Sequence, residues 1–269
     1  MTYLLSFDVE DWFHAHNIRP AVSRDQWEAV ESRVLGRTRR ILELLSDYDV
    51  SATFFVLGWV AENHPEVVRE IDRQGHEVAS HGYNHELLYE QSPAEIRADI
   101  RRSIRVLNPL IQGEVDGYRA PSFSITDEAV QILADLELSY DSSSFPVTGH
   151  DRYGTLSMPS NEDIVTLDCG IQEVTLPQLN LGKRIPWAGG GYFRFIPYEI
   201  YRRGVERIHS QRTFVFYLHP WDIDPGQPRQ KEIPLSYRLR HYTNLDRTED
   251  RLRRLLNDFD WQPIGQSLS

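Results

Sequence analysis

Two histidines separated by three residues carry the clearest chemical signal in the sequence. His81 and His85 stand at positions i and i+4, which on a helical turn share a face and can hold one divalent metal ion. The spacing alone is weak evidence, because the chain has 10 histidines and such pairs also occur as packing or surface residues. A metal site therefore requires a third ligand from another part of the chain.

The acidic run Asp8-Val9-Glu10-Asp11 follows an apolar segment at residues 3–7 and can supply that ligand. Glu10 is the first choice and Asp11 the second, because Asp11 faces the same side only if the chain has already turned. The structural alternative is that these carboxylates begin a helix or form a solvated acidic loop. Asp8 would then be free to act as a general base towards a water acidified by the metal.

Arg119 and His219 complete the candidate catalytic set. A guanidinium can bind a carboxylate through two hydrogen bonds and keep it ionised, so Arg119 is the expected partner of Asp8. His219 follows an apolar run and precedes Pro220 and Trp221, a position from which it can protonate a leaving group. Trp221 can form a wall of the substrate pocket. A surface salt bridge for Arg119 and a packed core histidine for His219 are the structural alternatives.

Short apolar runs alternate with longer segments of helical period, which predicts an α/β barrel of strand–helix units, distorted or incomplete. The candidate residues follow predicted strands, and the carboxyl ends of barrel strands are where such folds build their sites. Strands are predicted at residues 3–7, 52–57, 76–80, 163–167, 171–176, 213–218 and 260–265, with further strand ends at 118–119 and 139–141. Helices are predicted over about 25–47 and 243–257, through about 136 after the cap Thr126, and after Pro65, Ser92 and Pro197.

Composition limits the class of partner. The chain has 269 residues and a formal net charge of −11, which disfavours nucleic acid and favours neutral or cationic substrates over polyanions. The single cysteine, Cys169, excludes an intramolecular disulfide and a multi-cysteine zinc site, so a metal must use histidines and carboxylates. The sequence shows no export signal and no apolar run of about 18 residues for a membrane span. A cytoplasmic location is expected, and the oligomeric state is not indicated.

Taken together, the motifs resemble those of the polysaccharide deacetylases with NodB homology, carbohydrate esterase family 4. The resemblance extends from residue 3 to about residue 222 and is specific as a set. The first three motifs correspond to Phe7-Asp8-Val9-Glu10-Asp11, to His81 and His85 with Gly82 in place of a hydroxyl residue, and to Arg119-Ala120-Pro121. The fourth and fifth are looser matches, at Tyr140-Asp141 and at Leu218-His219. The first motif, with Val9 inserted, resembles the variant found in one subgroup of the family. That subgroup contains cytoplasmic peptidoglycan-deacetylase-like, allantoinase-like and exopolysaccharide-cluster proteins.

The resemblance implies a distorted (β/α)7-type barrel and a single NodB-like domain over residues 1–269. Residues 144–195 would form a loop-rich insertion, and residues 223–269 a C-terminal extension that completes the barrel. The implied cofactor is a divalent metal ion, with zinc as the first choice. The implied metal ligands are His81, His85 and an acidic residue of the first motif, Glu10 or Asp11. The implied catalytic residues are Asp8 as base, Arg119 as its tether and His219 as acid, and the substrate-binding residues are Tyr118, Pro121, Asp141 and Trp221.

The implied activity is hydrolytic removal of acetyl groups, N-acetyl first, from an acetylated glycan or sugar precursor. A backbone amide near Ser122 or Phe123 would hold the oxyanion. Aromatic residues beside the glycines at 189–191 could stack on sugar rings, namely Trp187, Tyr192 and Phe193. One alternative is hydrolysis of a non-sugar cyclic amide, as in allantoinase-like relatives. A second is a carbohydrate-binding protein without catalytic activity.

Overall fold

A curled sheet of mostly parallel strands forms the centre of the fold. The computed structural model describes residues 1–146, 153–158, 162–180 and 182–268. Its strands are β1 (Tyr3–Val9), β2 (Thr53–Val56), β3 (Glu77–Ser80), β4 (Gly117–Tyr118), β5 (Tyr140–Asp141), β6 (Ile164–Thr166), β7 (Gln172–Val174), β8 (Gln178–Asn180), β9 (Arg184–Pro186), β10 (Phe214–Leu218) and β11 (Trp261–Gln262). Its helices are α1 (Val34–Asp47), α2 (Gly58–Asn63), α3 (Pro65–Arg73), α4 (Pro93–Leu107), α5 (Asp127–Asp135), α6 (Gly190–Phe195), α7 (Tyr198–His209), α8 (Leu235–Tyr242) and α9 (Leu245–Asp258).

The sheet has 9 strands in the order β10-β1-β2-β3-β4-β5-β7-β6, with β11 pairing with β1. Neighbouring strands are parallel except β6 and β7, and β8 and β9 form a separate antiparallel hairpin. Strands separated by helices and paired in parallel produce the α/β architecture expected from the alternating pattern. The predicted class, a distorted (β/α)7-type barrel, is confirmed.

Strands β2 and β10 are mostly apolar because both of their faces are covered. Every residue of β2 and of β10 is buried. Side chains from β1 and β2 meet inside this core, where the rings of Phe7 and Phe54 stack with centroids 5.1 Å apart. This packing fixes the strand ends, which carry the candidate site.

Two predicted helix starts are confirmed by their caps. Ser92 and Glu95 form a capping box at the start of α4, and the Thr126 hydroxyl accepts a hydrogen bond from the Ala129 amide at the start of α5. The helix predicted over 25–47 is instead a 3-10 turn at Arg24–Ala29 followed by α1, with an extended break between them. The pattern also missed α2 and α8.

The predicted insertion at residues 144–195 lies partly outside the described residues. In the described parts, β7 pairs in parallel with β5, so the central sheet continues through this region. The strands predicted at 163–167 and 171–176 are present as β6 and β7. Within the described ranges, no helix has the length and apolar character needed to cross a membrane.

Candidate active site

The carboxyl ends of β1, β3, β4 and β10 bring the candidate residues to one edge of the sheet. The register pairs Phe7 with Leu218 and Ser80 with Tyr118, so the residues that follow these positions emerge side by side. The polar side chains at these strand ends converge although they are far apart in sequence. Residues that are distant in sequence therefore meet at this edge of the sheet. Glu10 and Trp221, for example, are 211 positions apart, and their side chains are hydrogen-bonded.

Glu10, His81 and His85 form a buried cluster in which each offers one ligand atom, and these atoms lie within 4.8 Å of one another. The Glu10 Oε2 and His85 Nε2 atoms are 2.7 Å apart. His81 Nδ1 lies 2.8 Å from the Arg119 carbonyl oxygen. Because a carbonyl only accepts, Nδ1 carries the proton and Nε2 keeps its lone pair for a ligand.

The charge states of this cluster suit a cation. Burial lowers the pKa of His81 to about 4, so its imidazole is neutral and able to coordinate. Burial opposes ionisation of Glu10, but His85, His219 and His81 together hold its pKa well below the ordinary value. Glu10 Oε2 and His85 Nδ1 are buried without a hydrogen-bond partner within the described structure. Two imidazoles and one carboxylate are a donor set that zinc uses, and the residues fit such an ion.

Asp11, the other acidic candidate, lies outside this cluster. Its Oδ2 accepts hydrogen bonds from the backbone amides of Arg33 at 2.7 Å and Val34 at 3.0 Å, and from the Ser32 hydroxyl at 2.7 Å. Its Oδ1 accepts from the Trp12 amide at 2.9 Å. The structural alternative given for the acidic run thus describes Asp11, whose carboxylate satisfies the amides at the start of α1. Glu10 is the carboxylate placed with the two histidines.

Asp8 is paired with Arg119 in the buried interior. Asp8 Oδ1 accepts a hydrogen bond from Arg119 Nη1 at 2.7 Å, and both side chains are almost fully excluded from solvent. The other guanidinium donors bind Ser6 Oγ at 2.8 Å, the Ser142 carbonyl at 2.8 Å and Ser142 Oγ at 2.9 Å. Arg119 is therefore held by β1 and by the loop that follows β5, and the other oxygen of Asp8, Oδ2, lies 3.9 Å from His219 Nε2.

His219 is held by two residues that the sequence reasoning missed. Its Nδ1 lies 2.8 Å from Asp222 Oδ2, and Asp222 Oδ1 lies 2.8 Å from Arg194 Nε. Its other nitrogen, Nε2, lies 3.9 Å from Asp8 Oδ2 and 3.5 Å from Glu10 Oε1. The spacing of Asp222 three residues after His219 is a signal that could have indicated this pair. Nothing in the sequence around Arg194 indicated its part.

The environment of His219 favours its protonated form. Burial alone would lower its pKa, but the hydrogen bond that His219 donates to Asp222 and the negative charges of Glu10, Asp222 and Asp8 raise it to about 9. Burial would likewise raise the pKa of Asp222, but Arg194 and His219 hold it below the ordinary value. His219 can therefore hold a proton at neutral pH and direct it into the space between Asp8 and Glu10.

These groups open into one cavity of about 290 Å³. Trp221 lies in its wall, donates from Nε1 to Glu10 Oε1 at 2.9 Å, and stacks on His219 with ring centroids 4.5 Å apart. The described lining comprises Asp8, Glu10, Ala15, His16, Asn17, His81, His85, Ser122, Phe123, Tyr153, Gly190, Gly191, Tyr192, Arg194, Phe195, Tyr217, His219, Trp221 and Arg240. The cavity wall thus combines the N-terminal strand ends with α6 and α8.

Three of the residues expected to bind substrate do not reach this cavity. Tyr118, Pro121 and Asp141 are buried and absent from its lining. Of the aromatic residues near the glycine run, Trp187 and Phe193 pack in the core, where Trp187 stacks on Tyr201. Tyr192 and the glycines at 190 and 191 do line the cavity. The residues that line the cavity and those that do not differ in the direction of their side chains. This direction depends on how the chain turns after each strand.

Asp141 instead forms a buried carboxyl pair with Glu173. The two residues are in register on β5 and β7 and share a hydrogen bond. Burial raises the pKa of both, and the charge of Asp141 raises that of Glu173 further, so Glu173 holds the shared proton. The pair also binds the loop that follows β5, through the Ser143 hydroxyl at 2.6 Å and the Ser144 amide at 2.8 Å. Both carboxyl groups are fully buried.

Ser122 and Phe123 line the cavity with left-handed backbones, at φ 52° and 59°. Such a conformation is costly for residues with a side chain and tends to persist where a site requires it. The Phe123 amide already donates to the Ala120 carbonyl at 2.9 Å. Of the two amides expected to serve an oxyanion, that of Ser122 is therefore the one still available.

The fold and this edge define an α/β-barrel protein with a candidate metal centre. Residues 31–140 match the family described as polysaccharide deacetylase, and residues 142–269 match a domain of unknown function (DUF3473). Residues 31–140 are therefore assigned to the polysaccharide deacetylase family. That assignment agrees with the resemblance of the sequence motifs.

Relatives with known names support the same family. A chitooligosaccharide deacetylase of Bradyrhizobium sp. (strain ANU 289) is 37% identical over 121 residues, 43% of this chain and 55% of that protein. A peptidoglycan-N-acetylglucosamine deacetylase of Bacillus cereus is 38% identical over 86 residues, 32% of this chain and 29% of that protein. The chain thus spans about half or less of the length of these curated relatives. A crystal structure from Mycobacterium smegmatis, assigned to the polysaccharide deacetylases, has a TM-score of 0.65 at 20% identity, over 98% of this chain and 87% of that one. This likeness establishes the fold.

Proposed function

We propose that the protein hydrolyses an acetamide group of an acetylated glycan or sugar precursor. The observation that carries the proposal is the single cavity that joins a Glu10, His81 and His85 donor set with the Asp8–Arg119 pair and with His219. A carboxylate paired with a guanidinium and an imidazole whose surroundings favour its protonated form, both lining one cavity, are suited to base and acid roles. The names of the two curated relatives support a sugar substrate.

A divalent ion, with zinc as first choice, would be held by Glu10, His81 and His85. When bound, such an ion supplies Lewis acidity, which lowers the pKa of water and polarises a carbonyl group. His81 is prepared for this role by its hydrogen bond to the Arg119 carbonyl, which fixes the tautomer. Glu10 is prepared by Trp221, which donates to its Oε1, while its Oε2 faces His85 Nε2 at 2.7 Å.

The chain's own groups would carry the proton transfers. Asp8, oriented by Arg119, accepts a proton from the attacking water as the carbon–oxygen bond forms. The Ser122 amide donates a hydrogen bond to the oxyanion that develops on the carbonyl oxygen. His219, oriented by Asp222, then donates its proton to the departing nitrogen as the carbon–nitrogen bond breaks. The products are acetate and a free amine on the sugar.

The proposal is tested first by metal content and acetate release. Protein purified without added metal is examined by elemental analysis and assayed on N-acetylated oligosaccharides before and after chelation, then after zinc is restored. We expect one bound metal ion per chain and acetate release that disappears with chelation and returns with zinc. His81→Gln should lose both, whereas the matched variant His64→Gln, at a histidine whose nearest acidic partner is Glu66 at 3.9 Å, should keep both.

Other results lead to the alternatives. Bound metal with no acetate release, but turnover of a cyclic ureide, would replace the proposal with cyclic-amide hydrolysis. Oligosaccharide binding by a protein that takes up no metal would indicate a carbohydrate-binding role. The cytoplasmic location and the subgroup similarity remain predictions, and fractionation of the source cells would test the location.

A further inference from the structure

The charges that line the cavity are neutralised by specific partners, with one exception. Asp8 is paired with Arg119, and Glu10 contacts His85 and the Trp221 indole. Arg194 is neutralised by Asp222, at 2.8 Å. The remaining charged side chain of the described lining is Arg240, on α8.

Arg240 is exposed, and its guanidinium makes no ion pair or hydrogen bond within the described parts of the chain. Its backbone is nevertheless fixed, because the Arg240 carbonyl accepts a hydrogen bond from Arg194 Nη2 at 2.7 Å. Other donors of Arg194 bind the carbonyls of His241 and Thr243, so the end of α8 is anchored to the cavity wall. A cation is thus held at the mouth of the cavity with its charge available.

Two aromatic residues accompany this cation. Phe195 is 46% exposed, unusual for a large apolar side chain, and it lines the cavity together with Tyr192. Tyr192 lies near enough to Arg240 for the guanidinium to oppose the rise that burial causes in the pKa of its hydroxyl. Exposed aromatic faces provide apolar contact for the C–H face of a ring, and tyrosine adds a polar end.

We propose that Arg240, Tyr192 and Phe195 form a subsite for a saccharide ring that carries a carboxylate. The proposal rests on the proposed function and adds the class of substrate, an N-acetylated glycan with an acidic sugar near the acetylated one. A guanidinium forms paired hydrogen bonds with a carboxylate, and an aromatic surface beside it accepts the ring. The net charge of −11 predicted a preference for neutral or cationic substrates over polyanions, but the effect of distant exposed charges is screened by salt, whereas Arg240 lines the cavity itself.

The test compares two oligosaccharides of equal length. One alternates N-acetylglucosamine with glucuronate, and the other is the same compound with its carboxyl groups reduced to alcohols. Acetate release gives kcat and KM for the wild type, for Arg240→Gln and for Arg238→Gln. Arg238 is the matched control because it is an exposed arginine of the same helix that does not line the cavity.

We expect the wild type to favour the acidic compound by about tenfold in kcat/KM, mainly through KM, the effect of one charge-assisted hydrogen-bond pair. Arg240→Gln should reduce that ratio to about one, whereas Arg238→Gln should leave it unchanged. Equal kcat/KM for both compounds in the wild type, or equal losses in the two variants, would overturn the subsite.

Binding separates failure of the subsite from failure of the proposed reaction. Calorimetric titration of both oligosaccharides is performed on zinc-loaded Asp8→Asn protein, with and without Arg240→Gln, after circular dichroism has shown that each variant is folded. If no acetate is released but the acidic compound binds more tightly and depends on Arg240, the subsite stands and the deacetylation proposal fails. If acetate is released without any binding preference, the deacetylation stands and the subsite fails.

Discussion

The two proposed proton-transfer groups are held in different ways by the two halves of the chain. Asp8 lies near the end of β1 and is bound directly by Arg119. Arg119 follows β4, in the segment that matches the polysaccharide deacetylases. His219 is bound through Asp222 to Arg194, and all three belong to the segment matched as a domain of unknown function. Arg119, which binds the base directly, is called the tether below. Asp222 and Arg194, which bind the acid one through the other, are called the relay.

The difference shows what the C-terminal segment contributes. Asp8 is bound to a permanent cation, whereas His219 is bound to an anion, because one group must be negative and the other positive to act. Arg194 then compensates the Asp222 charge and at the same time anchors the end of α8. The C-terminal segment thus supplies the candidate acid, its relay and the outer wall of the cavity. It is part of the site and not an appendage to it.

Breaking the tether of the base should have the largest effect. Arg119→Met removes the counter-charge of a buried carboxylate, so we expect kcat for acetate release to fall by about 100-fold or more. Leaving Asp8 buried without its partner should also cost about 3–5 kcal/mol in the free energy of unfolding. Arg39→Met, which breaks an exposed pair with Glu70, should leave kcat unchanged. Full activity in Arg119→Met, measured with unfolding in denaturant, would mean that Asp8 needs no tether.

Breaking the relay of the acid should have a smaller effect that depends on pH. His219 donates only when protonated, so activity is lost as pH rises through its pKa, about 9 in the structure without metal. Asp222→Asn removes a charge and a hydrogen bond that raise this pKa, so the alkaline limb of the kcat profile should move to lower pH. We expect kcat to fall by about tenfold at pH values above the shifted limb, and by less at lower pH.

Asp224→Asn provides the matched control for the relay. Asp224 is also buried and lies two residues further on, but it pairs with Arg33 at 2.5 Å and Arg37 at 3.2 Å. This variant should lose stability and keep the pH profile of the wild type. A limb that moves equally in both variants would show that general destabilisation, and not the relay, controls the acid.

The same contrast explains what could be predicted from sequence. His81, His85, Glu10, Asp8 and Arg119 each follow a strongly patterned strand, and parallel strands bring their carboxyl ends together, so their proximity could be inferred from the pattern. Their catalytic roles remain predictions. The side of the chain on which a residue emerges after a strand could not be inferred.

Two misplaced residues, Asp11 and Asp141, and one residue that was not predicted, Arg194, illustrate that limit. Asp11 lies one residue beyond Glu10, and its direction depends on where α1 begins, which the pattern placed too early. Asp141 is buried beside Glu173, which comes from β7 in the predicted insertion and pairs with β5. Arg194 lies in a short helix after a glycine run, where neither apolar period nor a motif marks its contact with Asp222. Each depends on tertiary contacts that local sequence does not encode.

The buried carboxyl pair offers a finer test of how the base is supported. Glu173→Gln keeps an acceptor for the Ser143 and Ser144 amides and can donate to Asp141 as the protonated acid does, so kcat should change less than about threefold. Glu173→Ala leaves Asp141 and both amides without that partner, and should cost about 2–3 kcal/mol in the free energy of unfolding. Denaturant unfolding and kcat are measured for both. A Gln variant as damaged as the Ala variant would mean that the pair does not share a proton.

The smallest effect is expected for a helix cap in the first half of the chain, at a residue that does not line the cavity. Thr126→Ala removes the hydroxyl that accepts from the Ala129 amide at 3.1 Å, a helix cap worth about 1 kcal/mol. Because Thr126 does not titrate, the loss of unfolding free energy should be the same from pH 6 to pH 9, and the kcat profile should keep its alkaline limb. A limb that moved with this cap would connect helix stability to His219, and the effect of Asp222→Asn could then no longer be assigned to the relay alone.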